Sequence, residues 1–204
     1  MTAASRLKAR LPADLAAWLD LHGDDIGAAW RRCTNAHWLI HLAAAVEVDR
    51  SLLVRAAADV VSAALAAGGV ADEQARRALR IARAWLEGGA RSTDAWASAC
   101  AAADAAEREA DRRTACALRA AAFVAFACDE GAEAGFYAHR GYAAKAVEEA
   151  AGLLADPTAA VARVRACIPL AAFLEAFEIA SRPPAPLPGG ADPEATTDTF
   201  YFYA

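Results

Sequence analysis

The chain has 204 residues, 57% of them hydrophobic and 23% charged, which is enough for one substantial core and short for two. A formal net charge of −5 argues against nonspecific attraction to nucleic acid, which depends on Lys and Arg neutralising phosphates. The five cysteines, Cys33, Cys100, Cys116, Cys128 and Cys167, are scattered and odd in number, a pattern of reduced thiols rather than of a disulfide framework.

Strand signals are nearly absent before the C-terminal segment, whereas helix starts and stops recur along the chain, so the body is predicted to be all-α. A short helix follows Pro12 and stops at Gly23. The next is expected from Asp24 to Val46, because Ile26, Trp30, Cys33, His37, Ile40 and Ala44 recur at alternating spacings of four and three, the pattern of a buried seam. Asp49 caps a helix running to Ala67 and closed by Gly68 and Gly69; Asp72 caps another running to Glu87 and closed by Gly88 and Gly89. The turns are short, so neighbouring helices are expected to pack antiparallel.

Ser92, Thr93 and Asp94 offer caps for a helix near Trp96, and a break is placed at Asp111, with one long helix to Glu130 as the rival reading. A helix over 132–154 follows Gly131, with Phe136, Ala143, Val147 and Leu154 facing inward. Asp156 and Pro157 then open the last helix, which Pro169 kinks or splits. The count is seven or eight mostly antiparallel helices in a compact bundle over residues 1–182. From residue 183 to 204 a Pro/Gly linker leads to Phe200, Tyr201, Phe202 and Tyr203, an extended tail predicted to dock on its own subunit or a neighbour's, the latter giving a homo-oligomer.

Between Ala78 and Val147 alanine fills nearly every helix-packing position, which lets helix axes approach to about 8 Å and leaves little room for a cofactor. None is expected. Charges interrupt each apolar run short of the roughly 18 residues that span a bilayer, and Asp14 and Asp20 interrupt any signal core behind Arg6, Lys8 and Arg10. A cytoplasmic protein without membrane or nucleic-acid partners is the expectation.

Three features carry candidate chemistry. Cys33, His37 and His41 stand at i, i+4 and i+8, so on one continuous helix they share a flank suited to a metal, with Glu47, Cys100, Cys116, Cys128 or His139 completing the ligands; the other reading is a buried seam. Asp129, Glu130 and Glu133 cluster around Gly131, with His139 and Arg140 beyond. They suit a grip on a basic partner, acid-base chemistry, or a solvated loop. Arg76, Arg77, Arg80 and Arg83 form a basic strip whose expected role is pairing with Asp72, Glu73 and Glu87 rather than binding phosphate. Neither a P-loop, a Gly-x-Ser-x-Gly elbow nor a dinucleotide glycine pattern occurs.

The segments Ala82-Arg83-Ala84-Trp85-Leu86-Glu87-Gly88, Ala99 to Ala106 and Tyr142-Ala143-Ala144-Lys145-Ala146-Val147, with Trp30-Arg31-Arg32-Cys33, Ala36 and Trp38 upstream, resemble the bacterial immunity-protein family of polymorphic toxin systems. The chain departs from that family before Gly131, where Val124-Ala125-Phe126-Ala127-Cys128-Asp129-Glu130 replaces a histidine-bearing pattern. The resemblance implies a helical protein that binds and neutralises a cognate toxin without a reaction of its own. The candidate partner-binding residues, read from the chain itself, are Asp129, Glu130 and Glu133 on the body and Phe200, Tyr201, Phe202 and Tyr203 in the tail. A second expectation is a helical carrier that presents the tail to a processing enzyme or assembly partner.

Overall fold

A computed structural model describes residues 3–22, 25–129 and 138–182. These residues form eleven helices and no strand: α1 (Ala3–Lys8), α2 (Ala13–Asp20), α3 (Ile26–Arg32), α4 (Ala36–Ala45), α5 (Arg50–Gly68), α6 (Glu73–Leu86), α7 (Ser92–Arg108), α8 (Arg112–Phe126), α9 (Ala138–Ala151), α10 (Pro157–Cys167) and α11 (Leu170–Ser181). The Pro-rich tail, residues 183–204, lies outside the described residues.

The all-α class is therefore seen, with more helices than the seven or eight expected. Residues 3–8 add a helix ahead of Pro12. The seam expected to be continuous over 24–46 is divided because Asn35 turns extended and its side chain accepts hydrogen bonds from the His37 and Trp38 amides, starting α4 afresh. Pro169 splits the last helix into α10 and α11.

Carboxylates start most of the others. Asp49, Asp72, Asp111 and Asp156 accept from the backbone amides of Ser51, Gln74, Thr114 and Thr158, respectively. Asp111 is thus the break expected between α7 and α8. Gly69 ends α5 at φ 65°, a left-handed conformation in which a Cβ is strained, and its amide closes onto the Ala66 carbonyl.

Helices α5 and α9 occupy the middle: α5 packs on α4, α6, α8, α9 and α10, and α9 on α4, α5, α8 and α10. By length and composition α5 is apolar enough to cross a membrane, contrary to the expectation that no run qualifies, yet half of it is buried by these neighbours. The core has two textures. Trp30, Phe173, Leu15, Leu19, Leu39, Ile40, Leu42, Leu53 and Ile168 are fully buried around α2 to α5, α10 and α11. In α6 to α9 the buried positions are largely alanine, among them Ala75, Ala78, Ala82, Ala95, Ala99, Ala102, Ala121 and Ala143. Small side chains there let the helices approach closely and fix the spacing of what their ends carry.

Candidate partner-binding face

The far end of α8 gathers aromatic side chains from three helices. Phe123 and Phe126 are one turn apart on α8 and so share a face. Tyr142 on α9 stacks on Phe123 with ring centroids 6.0 Å apart and lies 5.3 Å from Phe126. Trp96 on α7 meets Phe126 edge-on at 4.8 Å and remains 44% exposed, an unusual exposure for a ring of its size. Lys145, one turn beyond Tyr142, holds its ammonium 5.8 Å from the Phe123 ring centre. The result is a row of half-buried rings running from exposed Trp96 to a cationic edge at Lys145.

Asp129 follows this row in the chain. Its amide donates to the Phe126 carbonyl, and its own carbonyl accepts from Arg50 Nη1 at 2.7 Å. The same guanidinium lies 5.2 Å from the Trp85 ring centre, linking the start of α5 to the end of α6. Asp129 is thus built into a joint beside the rings. Glu130, Glu133, Phe200, Tyr201, Phe202 and Tyr203, the other expected partner-binding residues, lie outside the described residues, as do the side chains of His139 and Arg140. The ring row itself was missed by sequence reasoning. Its only signal was the placement of Trp96, Phe123, Phe126 and Tyr142 at helix ends, and their meeting depends on how three helices pack.

The Cys33, His37 and His41 row is broken by the same Asn35 cap that divides the seam. Cys33 ends α3, where its Sγ donates to the Asn35 carbonyl at 3.3 Å, and burial pushes the thiol up. His37 and His41 remain together on α4, ring centroids 6.0 Å apart and nearly perpendicular. Burial first, then the neighbouring His37, lowers His41 to about 4, while Asp14 opposes the shift. His37 is lowered too, by burial, against the opposing charges of Glu148 and Asp14. Glu47 turns away to pair with Arg10 at 3.1 Å. Among the described residues no three His, Cys, Asp or Glu side chains group to hold a metal. All five cysteines are free thiols, with Cys33 and Cys128 buried.

The arginine strip on α6 pairs only in part as expected. Arg80 bonds Glu73 at 2.7 Å, but Arg83 donates to the Ser62 hydroxyl on α5, also at 2.7 Å, and not to Glu87. The Asp72 side chain accepts from the amides of Gln74 and Ala75 and serves the start of α6 instead.

No protein-family model matches the chain, and neither do curated proteins or solved structures.

Proposed function

We propose that this chain is a noncatalytic immunity-type protein, that it binds and neutralises a cognate toxin in the cytoplasm, and that the ring row is where it grips. Two things support the reading: the resemblance carried by the alanine-rich segments around Trp85 and Tyr142, and the face built by Trp96, Phe126 and Tyr142. The observation that carries it is the exposure of Trp96 at one end of an otherwise half-buried aromatic row. Tryptophan and tyrosine are enriched among the few residues that dominate interface energies, because they desolvate large areas at little rotamer cost.

The test is protection. Cells producing a toxin encoded beside this protein should survive when the wild-type chain is co-produced. The Trp96→Ala variant should lose protection and bind the toxin about thirtyfold more weakly, the loss expected for a hot spot. Unchanged affinity of the variant would reject the face, and absence of protection by the wild type would reject the immunity reading.

The second reading, a carrier that presents residues 183–204, is favoured by one observation at the last described helix. Ile179 on α11 is 56% exposed beside a groove formed with Val46, Leu52 and Ala176, immediately before the tail begins. Deleting residues 183–204 separates the two readings: toxin binding survives under the first and partner binding is lost under the second.

A further inference from the structure

We propose that the groove between α5 and α6 is a binding site for an organic phosphate, a site independent of the ring row. Its volume is about 380 Å³. That falls within the range of small-molecule sites. Leu65, Val70 and Leu79 supply an apolar floor, and Arg76, Arg80 and Arg83 stand along one rim. The arginines occupy i, i+4 and i+7 of α6, so all three guanidinium groups rise from the same face, spread over roughly 10 Å of helix.

Two of these side chains are already held in place. The Ser62 hydroxyl donates to the Ala58 carbonyl at 2.6 Å and accepts from Arg83 at 2.7 Å, which anchors Arg83 across the groove from α6 to α5. Glu73 anchors Arg80. The Arg76 guanidinium has neither a hydrogen bond nor an ion pair among the described residues, its backbone amide alone being bonded, to the Asp72 carbonyl. Side chains fixed before a ligand arrives lose less entropy when it binds.

Three arginines and no carboxylate line the groove, on a chain whose net charge is −5. The hydrogen bond from Arg80, then its charge, and behind them the charges of Arg76 and Arg77, hold the Glu73 carboxyl below the usual carboxylate range. The Asp72 side chain accepts from amides at the start of α6, and among the described residues it forms no ion pair with the rim arginines.

A phosphate fits such a rim better than a carboxylate, because its additional oxygens can accept from more than one guanidinium fork at once. The apolar floor adds a second requirement, an organic body attached to the phosphate.

Calorimetric titration of the full chain with phenyl phosphate, inorganic phosphate and phenol tests the proposal. Phenyl phosphate should bind saturably and more tightly than inorganic phosphate, and phenol should not bind. Arg76→Gln and Arg83→Gln should each weaken phenyl phosphate about tenfold, the loss of one charge-assisted contact, whereas Arg77→Gln, on the same helix but off the groove, should leave binding unchanged. Thermal melts of the three variants check that each remains folded. Absence of saturable binding, phenyl phosphate binding no tighter than inorganic phosphate, or equal weakening by Arg77→Gln would each overturn the proposal.

Discussion

The Arg165 guanidinium on α10 reaches the Trp30 carbonyl near the end of α3, with Nη2 at 2.8 Å, and also lies 2.7 Å from the Arg31 carbonyl and 2.8 Å from that of Cys33. A cation at these orphan carbonyls answers both their hydrogen-bonding need and the negative end of the helix dipole. Arg165→Met keeps most of the side-chain volume and removes the charge-assisted bonds. It should cost about 2 kcal/mol in urea denaturation, with the slope unchanged and the midpoint lowered. A loss within experimental error would mean that water serves those carbonyls equally well.

The Trp30 ring, on the same helix, stacks on Phe173 with centroids 4.3 Å apart and planes at 21°. Phe173 is the one fully buried residue of α11, whose principal packing partner is α3. Phe173→Ala should therefore release α11 preferentially. Hydrogen exchange should show amides of 170–181 losing protection while those of α5 keep theirs, the signature of local opening. A Trp30→Leu, Phe173→Leu double-mutant cycle should give a coupling of about 1 kcal/mol; additivity would show the stacking to be incidental.

His41 predicts a pH dependence whose sign follows from its lowered value of about 4 against an ordinary 6.5. Between these two values the unfolded chain binds a proton that the folded chain does not, so stability falls as pH drops through this window and is unaffected by this group above it. A shift of this size on a fully enclosed ring corresponds to about 3 kcal/mol; for a half-buried ring about 2 kcal/mol is expected. The groups that face the pair are Asp14 and Glu148, which act in opposition to burial at His37, and Asp14 alone at His41. Denaturation of His41→Gln at pH 7 and pH 4.5 should show a smaller difference than wild type. An equal difference would assign the acid sensitivity elsewhere.

Thiol reactivity should divide by burial. Cys128 is enclosed, with its thiol pushed up to about 12, and Cys33 is enclosed with its thiol raised; the thiolate that reacts is scarce at both. Cys167 is partly exposed, yet burial and the nearby Asp59 raise it as well. Ellman's reagent at pH 8, followed by peptide mapping, should therefore label Cys100 and Cys116 first and Cys167 later, with Cys33 and Cys128 reacting only on unfolding. Early labelling of Cys128 would show that the end of α8 opens readily.

Local chemistry was legible in the sequence wherever one residue decides it. Asp49, Asp72, Asp111 and Asp156 cap helices as their positions suggest, and Gly69 takes the left-handed conformation that its place after an apolar run requires. Asn35 is hidden because the apolar spacing around it continues unbroken while its side chain competes for the backbone amides. Partner choice was not legible at all. Arg83 prefers Ser62, 21 residues away, to nearby Glu87, and nothing in the order of residues shows that α5 passes beneath it. The ring row is hidden for the same reason, since Trp96, Phe126 and Tyr142 come from three helices.

The alanine interfaces of α6 to α9 limit how such a protein can diverge. Ala78, Ala82, Ala99 and Ala121 are fully buried, and adding methylenes at such positions in a packed core costs about 1 to 3 kcal/mol. The outward positions carry no such restriction: Trp96 and Lys145 are exposed and can be exchanged without moving a helix. Substitution is thereby tolerated at the surface and resisted within, like type set in a fixed frame.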